Sequence, residues 1–145
     1  MRFVMLMYPG PQAETEQSPV PDGPEGQKLL NDMMAFNQRL VDAGMMLGGE
    51  GLKPTRHGAR VKFAGGGKTA VIDGPFTETK EVLGGYWIIE AKDLADAIAW
   101  ARQAPCPAGE MIEIRPVWAP EDFGPEAAAI ERTQMDQMEA QKKGG

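Results

Sequence analysis

A chain of 145 residues, 42% of them hydrophobic, is long enough to enclose one core and too short for two ordinary domains. Its formal net charge of -6 and pI near 4.8 argue against nucleic acid, whose phosphates call for a basic face, and against an anionic membrane surface. Cys106 is the single cysteine, so no internal disulfide can form. No stretch approaches the ~20 apolar residues that span a bilayer, and the cytoplasm is the expected location.

The first element is a compact apolar run, residues 2–8, stopped by Pro9-Gly10-Pro11; it predicts a central strand buried on both faces. Residues 12–26 are rich in Pro, Gly and acids with no apolar period, which predicts a long surface loop of the kind that borders a site. Leu29, Met33, Phe36 and Leu40, with Leu30, Met34 and Val41 beside them, then mark an amphipathic helix over residues 27–43 that covers a sheet. Met45-Met46-Leu47 and the glycines at 48, 49 and 51 suggest a short bulged strand ended by Pro54. Period-two segments at 59–63 and 68–72 around Gly65-Gly66-Gly67 predict a hairpin.

Residues 82–90 read as a long strand bent at Gly84-Gly85. Asp93 can cap a second helix with Asp96 at its third position, and Leu94, Ile98 and Ala101 are expected to face inward before Pro105. A last strand follows at 110–118. The order predicts an α+β, ferredoxin-like split βαβ with an added β-hairpin, an antiparallel sheet and both helices on one face. The opposite face would be an apolar patch too large for a monomer, so a homodimer, closed as a dimeric α/β barrel, is expected. Residues 126–143 have helix-forming composition but a thin apolar stripe, mainly Ile130 and Met138, which predicts a peripheral helical arm or dimer contact. The expected division is therefore a domain over 1–124 and a C-terminal helical extension over 125–145.

Between the hairpin and the next strand lies Asp73-Gly74-Pro75-Phe76-Thr77-Glu78-Thr79-Lys80-Glu81, a rigid turn beside four ionisable groups. This block resembles the signature of the YCII-related proteins, specifically their DGPF branch. Gly48-Gly49-Glu50-Gly51-Leu52-Lys53-Pro54, Gly58-Ala59-Arg60-Val61, Gly85-Tyr86-Trp87, Trp100-Ala101-Arg102 and Ile112-Glu113-Ile114-Arg115-Pro116-Val117 extend the resemblance from Met1 to about Gly124. The resemblance implies a ferredoxin-like dimer with a pocket between the sheet and its mobile edges. Other branches of that family resemble small lyases or dehalogenating enzymes in which a histidine near the first strand pairs with the aspartate of the turn. Only the aspartate carries over, as Asp73, because Tyr8-Pro9-Gly10-Pro11 holds no histidine.

Two carboxylates are candidate proton acceptors. Asp73 can reach a working pKa through burial or a neighbouring acid, against the plainer role of capping its own turn. Glu50, flanked by glycines in an apolar strand, can face a cavity. Candidate substrate-binding residues are Phe76, Lys80, Trp87 and Arg115; the alternatives are surface ion pairs for Glu78, Lys80 and Glu81, and for Arg115 neutralisation of Glu50 or Glu113. Tyr86 and Trp87 point to opposite faces of one strand, one to the core and the other to a pocket or dimer seam. His57, the only histidine, reads as a solvated loop residue, and Cys106 between two prolines as an inert thiol.

No clustered His and Cys ligands are present, so no metal is expected, and the two nucleotide-like glycine stretches fail their patterns. Gly67-Lys68-Thr69 has Lys62 where a phosphate loop needs glycine, and Gly49-Glu50-Gly51 has Pro54 at the third glycine site; no cofactor is expected. The leading expectation is a small-molecule-binding protein acting as a cofactor-independent lyase or isomerase. The alternative is a non-catalytic metabolite-sensing or protein-interaction module.

Overall fold

The computed structural model describes residues 1–15, 18, 22–76 and 82–144. Strands β1 (Arg2–Tyr8), β2 (Met46–Gly51), β5 (Gly85–Glu90) and β6 (Met111–Pro116) form one sheet in the order β2-β5-β1-β6. All three pairings are antiparallel. Helix α1 (Gly23–Asp42) links β1 to β2, and α2 (Leu94–Ala101) links β5 to β6. Strands β3 (Ala59–Gly65) and β4 (Lys68–Asp73) form a separate two-stranded hairpin between β2 and β5. Helix α3 (Pro125–Gly144) closes the chain. This is a mixed α+β fold with antiparallel sheets and three helices, consistent with the ferredoxin-like arrangement.

The strand period of two divides the sheet residues cleanly between faces. Phe3 lies opposite Ile89, and Met5 lies opposite both Trp87 and Ile114. These side chains meet Phe36 and Leu40 of α1 and Ala97 of α2, and together they form the core. Phe36 meets the Trp87 ring edge-on at 5.7 Å, and Trp87 Nε1 donates to Asn37 Oδ1 at 2.8 Å, so the buried indole N–H is satisfied. On the other face the rows Glu50–Tyr86–Leu6–Glu113 and Gly48–Ile88–Val4–Arg115 run across the four strands, each of these residues half-buried or exposed.

Helix α1 begins before the expected start at Gln27. Pro24 sits in its first turn, where the missing N–H is one of the unpaired donors of any helix start, so the Pro/Gly-rich stretch nucleates rather than delays the helix. Residues 82–84 lie outside β5, because the chain straightens only at Gly85. In α2 the inward residue is Ala97, fully buried, while Leu94 and Ile98 are exposed; Ala101 does pack against the core, with Trp100 beside it. The small alanines let the helix approach the sheet closely, and that contact outweighs the larger side chains. Asp93 caps α2 as expected, accepting from Asp96 N at 2.8 Å, while Asp96 accepts in return from Lys92 N. The glycines of the β2 strand produce the expected register irregularity, between Met46 and Gly48.

Candidate functional site

A cavity of about 680 Å³ opens beside the sheet where four connections converge. The Pro11–Thr15 turn contributes Gln12, Ala13 and Glu14, and the start of α1 contributes Leu29, Leu30 and Met33. Leu52, Lys53 and Pro54, after β2, are followed by the Thr55–His57 turn, which adds Arg56 and His57. Val82, Leu83 and Gly84 approach from the β5 side, and Pro105, Pro107 and Glu110 from the α2–β6 connection. The body of the cavity is aliphatic, and five ionisable side chains (Glu14, Lys53, Arg56, His57 and Glu110) stand around it. A smaller cavity of about 470 Å³ adjoins it along Leu52, Lys53, Pro54, His57, Val82 and Leu83, with Arg60 and Phe76 on its far side.

Thr55 holds this wall together. Its backbone N–H donates to Glu14 Oε1 at 3.1 Å, its hydroxyl donates to Glu14 Oε2, and the same hydroxyl accepts from Phe76 N at 3.0 Å. Arg56 Nη1 donates to the Glu14 carbonyl at 2.8 Å. The β1–α1 loop, the Thr55–His57 turn and the Asp-Gly-Pro-Phe turn are therefore fastened through one hydroxyl and one carboxylate. The charge of Glu14 is engaged in that fastening, whereas Lys53 and His57 make no side-chain hydrogen bond among the described residues. Gly74 N donates to Gly58 O at 3.0 Å, and a Cβ at Gly74 would stand 1.6 Å from Thr55 O, so only glycine allows this approach. The Arg60 guanidinium lies 3.8 Å over the Phe76 ring.

At the α2–β6 end, the Cys106 thiol is half-buried, and burial pushes its pKa up, with the nearby Glu110 carboxylate adding to the shift. It is a protonated, weakly reactive thiol at neutral pH.

The residues singled out in the sequence do not converge on this cavity. Asp73 is exposed at the end of β4, opposite Ala59, and lines neither cavity. Phe76 lines the smaller cavity. Trp87 is a core residue under α1, because its register with Met5 turns it to the helix-covered face. Glu50 and Arg115 are exposed on the open face of the sheet, at opposite edges and in different rows, three strand spacings or about 14 Å apart across the sheet alone. Arg115 forms no ion pair with Glu50 or Glu113 among the described residues. Lys80, with Glu78 and Glu81, lies outside the described residues.

His57, read as a solvated loop residue, is exposed as expected but stands on the rim of both cavities. The long polar loop after β1 does border the site, through Gln12, Glu14 and Ser18. Among the described residues no group of three or more His, Cys, Asp or Glu side chains is placed to hold a metal ion, and no helix is long and apolar enough to cross a membrane.

A family model described as the YCII-related domain matches residues 1–121. A curated relative, the uncharacterized protein R00369 of Rhizobium meliloti (strain 1021), is 34% identical over 95 residues, which cover 64% of this chain and 76% of that protein. Among solved structures, 5-chloro-2-hydroxyhydroquinone dehydrochlorinase from Burkholderia phenoliruptrix, in complex with 2,5-dihydroxybenzoquinone, overlaps 86% of this chain and all of its own with 14% identity and a TM-score of 0.41.

Proposed function

Because the chain belongs to the YCII-related family, we propose that its 680 Å³ cavity binds a small molecule with an apolar body and an anionic or acidic group, and that the protein acts on it without a cofactor. The Asp73-Gly74-Pro75-Phe76 sequence supports reading the chain as one of the family's DGPF branch. The observation that carries the reading is the pairing of an aliphatic chamber, walled by Leu29, Leu30 and Met33, with Lys53 and His57 at its edge. The chamber has the size of a drug-like ligand, and a carboxylate or phenolate lodged there would meet both polar side chains.

Proton transfer in such a site falls to His57 and Glu110, which line the chamber, in a lyase or isomerase reaction. Asp73, expected from sequence as the acceptor, stands exposed at the end of β4, outside the lining of the chamber. Glu50 and Arg115 belong to the open sheet face, which we assign to the seam of a homodimer: Val4, Leu6, Tyr86 and Ile88 form an apolar centre there that a second copy would cover.

The test is an equilibrium titration with 1-anilinonaphthalene-8-sulfonate, an apolar anion whose fluorescence rises on leaving water, against the native protein and against Lys53→Met and His57→Gln. The expected result is saturable binding that weakens about tenfold in Lys53→Met, the loss of one charge-assisted contact of about 1.5 kcal/mol or slightly less. Equal binding by both variants and the native protein, with unchanged near-ultraviolet dichroism, would remove the cavity from the proposal. Binding that persists without turnover of any acid tested would favour the metabolite-sensing alternative.

A further inference from the structure

The smaller cavity meets the chamber along one strip of chain: Leu52, Lys53, Pro54, His57, Val82 and Leu83 line both. Among the described residues that line the smaller cavity, every ionisable side chain is basic, namely Lys53, His57 and Arg60. In a chain with a net charge of -6 this is a local reversal of sign, and it selects for an anion. The hairpin register sharpens it. Arg60 lies opposite Ile72 and Lys62 opposite Ala70, so both cations share one face, whereas Asp73, opposite Ala59, belongs to the other.

Arg60 is also held in place. Its guanidinium lies 3.8 Å over the Phe76 ring, and the Phe76 amide is bonded at 3.0 Å to the Thr55 hydroxyl that grips Glu14. The ring occupies one flat side of the guanidinium and uses none of its N–H groups, so the donors in its plane stay available. Among the described residues no ion pair or side-chain hydrogen bond engages them. We propose that the smaller cavity is a second acid subsite, so that the ligand is a diacid. Its apolar body sits among Leu29, Leu30 and Met33, one acidic group meets Lys53 and His57, and a carboxylate reaches beyond them to Arg60. The guanidinium fork matches the two oxygens of a carboxylate, and the stack on Phe76 orients the fork before the ligand arrives.

This inference rests on the chamber reading above, and the test separates the two. Two probes of nearly equal shape, N-(2-naphthoyl)glutamate and N-(2-naphthoyl)glutamine, are titrated by calorimetry against the native protein, Arg60→Met and Arg60→Lys; they differ only in the second carboxylate. The native protein is expected to prefer the glutamate derivative by about fivefold, the preference to vanish in Arg60→Met, and part of it to survive in Arg60→Lys, which keeps the charge without the fork. Equal binding of the two probes by the native protein, or a preference that Arg60→Met leaves intact, overturns the second subsite and leaves the chamber standing. Binding of neither probe by the native protein overturns both.

Discussion

Thr55 is the residue on which the site wall turns, since one hydroxyl joins Glu14 to the Phe76 amide. Thr55→Val keeps the shape and removes both bonds. It is expected to cost about 1–3 kcal/mol in chemical denaturation and to loosen ligand binding, while Thr55→Ser restores both. Cys106 supplies a pH-dependent readout. Burial and the Glu110 carboxylate raise its pKa, so the reactive thiolate is scarcer at any given pH than in an unfolded chain. Alkylation by iodoacetamide should therefore be slower in the native protein than in denatured protein at neutral pH, and should accelerate only above the ordinary thiol range. Glu110→Gln removes the negative neighbour, lowers the pKa and speeds the reaction; an unchanged rate would detach Glu110 from the thiol. The Thr55 clamp was not legible in the sequence, because Glu14, Thr55 and Phe76 are distant along the chain and meet only through the fold.

The elements themselves were more readable. Alternation in the hairpin and the stripe on α1 reflect periods of two and 3.6 that act within a few residues, and both appear where those periods place them. The apolar run of β1, read as buried on both faces, is buried only at Phe3 and Met5, because the core lies on one face of the sheet. Reading failed where packing decides. Leu94 and Ile98 outrank Ala97 in hydrophobicity, yet only the small side chain permits the close approach of α2 to the sheet. Trp87 and Tyr86 differ by one position, and only the pairing of Trp87 with Met5 assigns the tryptophan to the core. The Asp-Gly-Pro-Phe turn was legible as a turn, but its function as a clamp was not. Gly74→Ala tests it: the added Cβ meets the Thr55 carbonyl, and the change should lower stability by about 1–3 kcal/mol, the usual cost of overpacking, with a matching loss of probe binding. A neutral Gly74→Ala would show that the turn and the wall move independently.

At the scale of the molecule, one side of the sheet is sealed by α1 and α2 while the other side, the hairpin and the arm all present apolar surface. Apolar patches of this kind call for a specific cover. Sedimentation at micromolar concentration is expected to return a dimer held by the open sheet faces, and a monomer would remove that pairing. The topology could be read from the order of elements. The cavity could not, because its walls come from four connections that no local pattern relates.

The most direct measurement is a crystal structure of the protein grown with 2-naphthoate, an apolar ring bearing one carboxylate. The account predicts the ring among Leu29, Leu30 and Met33, with its carboxylate within hydrogen-bond distance of Lys53 or His57. A naphthoate seated on the open sheet face beside Glu50 or Arg115, with the cavity filled by its own side chains, would contradict it.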